Sequence, residues 1–207
     1  MFRHVTYAVF AIGILARAQD TTADRVSVAF SDPARPGTLK ASLLNGSIFV
    51  KGYEGKEVIV EARVRGGKEP AGAAGMKRIT ISTTGLSVEE ENNVMTVGAS
   101  SHARTVDLTI QVPVKISLKL KGLNSGEIKV ENVQGEVEVS HLNGPVTLAG
   151  ISGSAVAHSL NGKVLAGFNQ VTAGKAMSFS SMNGDIDVTF PADLKASVKL
   201  RSERGEI

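Results

Sequence analysis

Apolar and polar residues alternate along much of this chain, and in five places the alternation follows a short turn that contains asparagine and glycine. Counted from the glycine of each turn, the second and fourth residues are apolar, whereas the first and third are mostly polar. A period of two buries one set of side chains and exposes the other, which predicts β-strands rather than helices. The five units are 44–50, 123–130, 142–148, 160–166 and 182–188.

The same two residue types occupy the turn in each unit. Glycine has no Cβ, and asparagine adopts the left-handed conformation more readily than most residues, so both favour tight turns. Asn45, Asn143, Asn161 and Asn183 are also candidates for an amide ladder along the fold. The predicted turn residues are Asn45, Gly46, Asn124, Gly126, Asn143, Gly144, Asn161, Gly162, Asn183 and Gly184.

From residue 122 onward the units follow one another at steps of 19, 18 and 22 residues. Each step also holds a second short alternating segment, around Val137, Ala155, Phe179 and Val198. Repetition at a near-constant spacing is typical of stacked coils, none of which holds a core alone. We therefore predict an all-β fold, a β-solenoid whose regular array is 122–207. A β-sandwich of successive hairpins is the alternative, because short strands with regular turn signals fit it as well.

The residues before the array also alternate, although less regularly. Residues 19–37 are predicted to be a leader with a first strand, and 38–207 the β-strand-repeat domain, beginning with a hairpin-like segment around Asn45 and Gly46. Residues 66–75 are rich in Gly and Ala and predict a loop, as do 100–103. Further strands are predicted at 25–30, 56–64, 78–82, 86–90, 94–97, 105–113 and 116–120.

The first 18 residues have the layout of a secretory signal peptide. Arg3 precedes an apolar run at 5–15, and the small residues Ala16 and Ala18 flank a cleavage site before Gln19. The run is short against the roughly 20 residues that span a bilayer. We therefore expect cleavage of residues 1–18 and an exported protein, in the periplasm, at the cell surface or outside the cell.

Composition excludes several classes of site. The chain has no cysteine, which excludes disulfides and thiolate metal sites. Without Arg3 and Arg17 the chain carries 21 basic and 20 acidic side chains, a balance that attracts polyanions weakly. It has no Trp and few other aromatic residues, so it lacks the stacking surface that single-stranded nucleic acid needs. Nucleic acid is therefore not an expected partner.

The histidines and two aspartates are the first candidates for chemistry. His141 and His158 precede their turns by different spacings, so the alternation sends them to opposite faces, and we expect surface or edge histidines rather than a shared metal site. Asp185 and Asp187 share an outward face about 7 Å apart. Such a pair fits a glycosidase or a weak calcium site, but the outward residues of neighbouring units are mixed in sign, which favours a solvated face.

The remaining motifs are weaker. Glu89–Glu91 predicts a solvated acidic turn, Ser101 with His102 lacks a nucleophile elbow, and 66–68 lacks the spacing of a phosphate loop. We predict no catalytic residue, no cofactor and no metal ligand, and hence no enzyme. The alternation also places four apolar or aromatic residues outside the core, where either a neighbouring segment or a partner covers them. These are Phe49, Tyr53, Leu165 and Phe168.

Two segments resemble a known family. Residues 106–113, which alternate up to Pro113, and residues 125–139, followed by further Asn-Gly turns, resemble the bacterial family of "putative adhesin" domains with β-strand repeats. The resemblance covers about 40–207 and implies an extracytoplasmic, right-handed, single-stranded β-solenoid with a role in adhesion or envelope structure. It brings no catalytic residues. Ser125 in the second turn and the longer coil at 168–174 depart from the regular repeat.

These observations lead to one functional expectation. We expect a non-enzymatic, adhesin-like binding or structural module of the cell envelope, whose partner is a protein or a glycan. A carbohydrate-active enzyme and a self-assembling signalling accessory protein are the alternatives. Residues 203–207 restart the turn and strand pattern, and an open C-terminal coil exposes an unpaired strand edge. Association of copies through that coil is therefore also expected.

Overall fold

The computed structural model describes residues 23–65, 84–99, 104–203 and Glu206, and every helix or strand in this part of the chain is a β-strand. No described helix is long and apolar enough to cross a membrane. The strands form one 14-stranded sheet around a single apolar core. They are β1 (Ala23–Ala29), β2 (Gly37–Asn45), β3 (Ile48–Tyr53), β4 (Glu57–Val64), β5 (Leu86–Glu91), β6 (Val94–Ala99), β7 (Val106–Pro113), β8 (Ile116–Asn124), β9 (Ile128–Glu131), β10 (Gln134–Asn143), β11 (Val146–Asn161), β12 (Val164–Val171), β13 (Ser178–Ser181) and β14 (Ile186–Thr189).

Each regular coil has two strands joined by an asparagine-glycine corner. The strands before the corners form face A, in which β6, β2, β8, β10, the second half of β11 and β13 pair in that order. The strands after the corners form face B, with the order β7, β3, β9, the first half of β11, β12 and β14. All these pairings are parallel. Consecutive hairpin strands pair antiparallel, so the fold is the predicted β-solenoid and not the alternative sandwich.

The hairpin expected around Asn45 and Gly46 is absent. β2 pairs with β6 and β8, whereas β3 pairs with β7 and β9. Asn-Gly is typical of a hairpin turn and also suits a solenoid corner, and the period of two is identical in the two structures. The sequence therefore located the bend correctly but gave the wrong pairing partners.

The inward residues of successive coils stack into continuous columns. Ile48, Ile128, Val146 and Val164 are in register on face B, and each is at most 1% exposed. Ile186 continues the column but is 46% exposed. Burying an aliphatic side chain contributes roughly 1.5–3 kcal/mol, so these columns hold the coils together without disulfides.

One end of the solenoid is covered by antiparallel strands. β4 pairs with the edge of β7 through residues 59–64, and β1 pairs with the other edge of β4. The inward residues of β4, which are Val58, Val60 and Ala62, are buried. β5 pairs in the same sense with β6 on face A. β3 and β4 are consecutive in the chain, yet β7 lies between them in the sheet.

Two details near the C-terminal end differ from the sequence prediction. The β11–β12 pairing shifts register between Leu148 and Ile151, which places Phe168 beside Ile151 and buries it to 6% exposure. Alternation alone had placed Phe168 outside. The predicted strand around Val198 is not formed, and Val198 and Leu200 are 67% and 66% exposed.

Several predictions lie outside the described residues. These are the signal peptide at 1–18, the loops at 66–75 and 100–103, and the strand at 78–82. They stay predictions.

Candidate functional site

The glycines of the asparagine-glycine corner form a close-packed column along the solenoid. A Cβ added to Gly126 would lie 2.2 Å from the carbonyl oxygen of Gly46, and one added to Gly144 would lie 2.1 Å from that of Gly126. The same contact repeats at Gly162 and Gly184, at 2.2 and 2.4 Å from the preceding corner carbonyl. Each corner thus approaches the next too closely for any side chain.

Steric approach excludes a side chain at every glycine of this column, and positive φ adds to this at three of the five, including Gly144 at +159°. Gly46 and Gly126 have φ near +129° and +126°, which also favours glycine. Gly162 and Gly184 need glycine because of the neighbouring carbonyl alone, and none of the ladder asparagines has positive φ among the described residues. The left-handed role expected for asparagine is therefore wrong.

The asparagine side chains of the last three corners are linked by hydrogen bonds. The Nδ2 of Asn161 donates to the Oδ1 of Asn143 at 2.8 Å, and the Nδ2 of Asn183 donates to the Oδ1 of Asn161 at 2.7 Å. Asn143 in turn donates to the carbonyl oxygen of Leu123 at 3.3 Å. Asn45 lies in register with Asn124 and takes no part in this chain of amides. The amide ladder joins three coils along an exposed corner.

An apolar stripe lies immediately before the asparagines on face A. The residue that precedes each corner asparagine points outward, and the stripe is 43% exposed at Leu123, 42% at Leu142 and 72% at Met182. Leu44 and Leu160 are half-buried. Parallel strands are about 4.8 Å apart, so the five side chains follow one another along the solenoid axis. We call this stripe the leucine ladder: Leu44, Leu123, Leu142, Leu160 and Met182.

Two shallow clefts lie against the leucine ladder. One, of about 310 Å³, is lined by Leu44 and Leu123 together with Gly98 and Ala99 of β6. The other, of about 280 Å³, lies between Leu123 and Leu142 and reaches Lys121. Both are open depressions in the outward surface of face A.

A polar row runs parallel to the leucine ladder, two residues earlier in each face A strand. It consists of Ser42, Lys121, Ser140, His158 and Ser180, which are in register. The Nδ1 of His158 lies 2.8 Å from the Oγ of Ser180. Within the described part of the chain Lys121 makes no ion pair. The stripe is therefore bordered by small hydroxyls and a free cation.

His141 lies inside the solenoid, contrary to the expected surface position. It is 1% exposed, with Gly122 beside it in β8 and Ser159 beside it in β11. A Cβ at Gly122 would be 2.7 Å from the imidazole Cδ2, so the glycine makes room for the ring. Its Nδ1 is 3.4 Å from the carbonyl oxygen of Pro145, and its Nε2 has no hydrogen-bond partner among the described residues. Burial lowers the pKa of His141, which favours the neutral ring.

Asp185 and Asp187 lie at the exposed C-terminal end. Both are exposed, and Asp187 is in register with Leu165 of β12 on the outward side of face B. Neither lines one of the two clefts. No group of three or more His, Asp or Glu side chains in the described part of the chain is arranged to hold a metal ion.

The four outward apolar candidates do not form one patch. Phe49 and Leu165 are half-buried in the outward column of face B, where Lys129 and Thr147 separate them. Tyr53 donates its hydroxyl to the carbonyl oxygen of Glu57 at 2.7 Å. Phe168 instead packs inside the C-terminal coil, with ring centroids 6.0 Å from Phe179 and 5.3 Å from Phe190.

The acidic turn serves the covered end of the solenoid. Glu90 accepts hydrogen bonds from Ser31 and from the backbone of Asn93, and the bond from the Ser31 hydroxyl comes first in lowering the pKa of this carboxyl. Asn93 also bonds the backbone of Asp32 and Arg35. These contacts tie the β1–β2 loop to the β5–β6 turn, so Glu90 is structural rather than merely solvated. Ser101, His102 and 66–68 lie outside the described residues.

The leucine ladder is a continuous surface that the sequence analysis did not identify. An apolar residue, leucine in four of the five units, precedes the asparagine of each turn. The alternation through Val137, Val139 and His141 puts Leu142 outside. Extending the two-residue alternation of β10 by one position, from His141 to Leu142, is the sequence signal that predicts an outward leucine.

Comparison with known proteins identifies the family of this chain. Residues 70–207, two thirds of the chain, match the family described as Toastrack DUF4097, and the chain belongs to that family. None of the curated proteins matches its sequence. A solved structure of a "putative cell adhesion protein" from Clostridium sporogenes aligns with 81% of this chain and 99% of its own, at 12% identity and a TM-score of 0.38.

Two further solved structures are similar in the same limited way. A "putative adhesin" from Bacteroides fragilis aligns over 80% of this chain and 96% of its own, with 10% identity and a TM-score of 0.33. One from Parabacteroides merdae aligns over 83% and 98%, with 9% identity and a TM-score of 0.27.

Proposed function

We propose that this protein is an exported, non-enzymatic binding module of the cell envelope that docks an apolar segment of an envelope protein along the leucine ladder. The observation that carries the proposal is the recurrence of an aliphatic side chain at one outward position of five successive coils, exposed in three of them and half-buried in two. The other outward columns described above are either polar, as in the row from Ser42 to Ser180, or mixed in chemistry, as in the column from Phe49 to Asp187. A repeated apolar stripe with a polar border is typical of an interaction surface.

The geometry of the stripe favours an extended peptide. Five rungs at about 4.8 Å extend over roughly 19 Å, and two clefts open between the first three rungs. The stripe carries no aromatic ring, whereas sugar rings are commonly bound by stacking on aromatic side chains. Protein is therefore the proposed partner, and glycan binding is an outcome that the test distinguishes.

The same reasoning makes catalysis the weaker alternative. A carbohydrate-active enzyme on this fold would use Asp185 and Asp187, but both lie on the last rung and away from the clefts. If the alternative holds, the protein cleaves a member of a glycan panel and the Asp185→Asn/Asp187→Asn variant loses that cleavage.

The contact surface is tested by matched substitutions. We expect Leu123→Lys/Leu142→Lys to weaken binding to isolated envelope fractions by about tenfold or more, since each truncated or charged anchor costs on the order of 1 kcal/mol. Leu165→Lys, the same change on the outward side of face B, is the control. Co-sedimentation of the purified protein with the fractions measures the effect.

Two results would contradict the proposal. Unchanged binding of the leucine ladder variant would remove the surface from consideration. Binding that survives protease treatment of the fraction, but not glycan removal, would replace the protein partner by a glycan. Export is checked separately, by the N-terminal sequence of the protein recovered outside the cytoplasm, which we expect to begin at Gln19.

A further inference from the structure

The C-terminal coil presents a strand edge that the described chain leaves unpaired. In the part of the chain that the structure describes, β13 pairs only with β11 and β14 only with β12. Inward positions that are buried one coil earlier are exposed here. Val164 is 0% exposed, whereas its neighbour in β14, Ile186, is 46% exposed. The Phe168, Phe179 and Phe190 cluster fills the interior but leaves the backbone edge open. An open edge of this kind accepts another strand.

A segment with the pattern of the missing strand follows directly. Residues 195–203 are all exposed and form no strand. Val198 and Leu200 stand seven and five residues before Gly205, as Met177 and Phe179 stand before Gly184. The segment thus alternates as the face A strand β13 does, with Lys199 and Arg201 on its other side. The exposed outward residues of β13, Ser178 and Ser180, carry no charge, so the edge of β14 on face B is the one whose charges can match this segment.

Charge decides which strand this edge accepts. The outward residues of β14 and its preceding turn include Asp185 and Asp187, and neither makes an ion pair within the described residues. Pairing β14 with β14 of a second copy would bring these carboxylates together, which destabilises a strand pair. Pairing β14 with 195–203 brings Lys199 and Arg201 beside them instead. Among the described residues Arg201 now bonds the exposed Glu203, at 2.9 Å, a contact worth little in solvent.

We propose that two copies of this protein associate by reciprocal strand exchange, in which residues 195–203 of each copy pair with the β14 edge of the other. Val198 and Leu200 then cover Ile186 and Val188, while Lys199 and Arg201 face Asp185 and Asp187. The contact is two-fold symmetric, as is usual for homodimers. The covered end, closed by β1, β4 and β5, stays outside the contact. This inference is independent of the leucine ladder.

Two charge-reversed chains test the exchange. One carries Lys199→Glu/Arg201→Glu, so that its segment and its edge are both acidic. The other carries Asp185→Lys/Asp187→Lys, so that both are basic. Light scattering coupled to size exclusion, over a range of concentrations, gives the mass of each chain alone and of the equimolar mixture. Circular dichroism confirms that each variant keeps its β-structure.

The expected pattern is specific to exchange between copies. The wild-type protein dimerises, and each reversed chain alone shows a dimer dissociation constant raised about tenfold or more. Their mixture forms a heterodimer, because each segment again meets an edge of opposite charge.

Three results would overturn the inference. The first is a wild-type protein that stays monomeric at the highest concentration. The second is a pair of reversed chains that dimerise as the wild type does. The third combines two observations: the mixture stays monomeric, and a chain that carries all four reversals has the wild-type stability as a monomer. That combination means that residues 195–203 pair with the β14 edge of their own copy.

Discussion

At the scale of single residues, the buried position of His141 depends on the neighbouring strands of the solenoid and cannot be read from its own strand alone. The imidazole lies in an inward column whose other members in neighbouring coils are Leu43, Gly122, Ser159 and Ser181. Ser159 and Ser181 each donate to the corner carbonyl of the preceding coil, at 2.9 and 2.8 Å. Histidine fits in place of serine because Gly122 leaves the space.

The buried imidazole makes stability depend on pH near neutrality. Burial lowers the pKa of His141 in the folded protein, whereas the unfolded chain titrates near 6.5. The unfolded state therefore binds the proton first, so stability is full above about pH 6.5 and falls as the pH decreases below it. We expect the urea midpoint of the wild-type protein to fall between pH 7.5 and 5.5, and that of His141→Ser to fall less.

The control for this prediction is the exposed histidine. His158→Ser removes an imidazole from the polar row of face A and should keep the wild-type slope. The range stops at pH 5.5 so that most carboxylates stay ionised. Equal slopes for wild type and His141→Ser would mean that the buried ring does not control this dependence.

At the scale of the element, the asparagine-glycine corner joins the coils by two separate means. The glycine column brings the backbones together, and the amides of Asn143, Asn161 and Asn183 bridge them from outside. Asn161 is the central member, since it both donates and accepts. A substitution there breaks two bonds of the ladder.

We expect Asn161→Ala to lower the free energy of unfolding by about 1–2 kcal/mol, because a net hydrogen bond is worth roughly 0.5–1.5 kcal/mol. Asn161→Asp should cost more at pH 7 than at pH 4, since a carboxylate cannot donate to the Oδ1 of Asn143 but a protonated acid can. Urea denaturation measures both. Asn45→Ala, at the corner outside the ladder, should change stability less than Asn161→Ala does.

The sequence predicted some elements well because their evidence is local. The period of two identified the inward residues Ile128, Val146 and Val164 correctly, and the recurring corner predicted the solenoid. Strand pairing depends on residues that are distant in sequence. The local pattern around Asn45 therefore predicted a hairpin, although β2 and β3 pair with other strands. Phe168 was misplaced because the shift between β11 and β12 depends on a neighbouring strand.

The candidate surface was less predictable than the fold. The sequence of a recurring turn motif is the same whether its leucine points inward or outward. The exposure of the leucine becomes clear only when the coils are stacked. Space for His141 likewise depends on Gly122, which is 19 residues away in sequence and adjacent in the sheet.

At the scale of the whole molecule, the two ends of the solenoid differ. One end is closed by β1, β4 and β5, and the other leaves β13 and β14 with a single pairing neighbour each. In stacked repeats each coil is stabilised mainly by its neighbours. The coil with one neighbour should therefore open first.

We expect hydrogen exchange followed by mass spectrometry to show this gradient. Peptides covering 178–189 should exchange faster than peptides covering 128–148, because local opening needs less free energy at the end of the stack. Dilute protein keeps association from masking the difference. Uniform protection along the array would show instead that the solenoid opens as one unit.

The position of β7 between β3 and β4 bears on the order in which a nascent chain acquires its structure. β3 and β4 are complete by residue 64, but the strand that separates them ends only at Pro113. Until β7 emerges from the ribosome, β4 has no solenoid strand to pair with, and β1, which pairs with β4, is not attached to the solenoid either. The coils from β8 onward can each pair with a coil that has already formed. The first-made part of this chain is thus among the last to settle, and a chaperone that holds the early strands apart would be most useful during that interval.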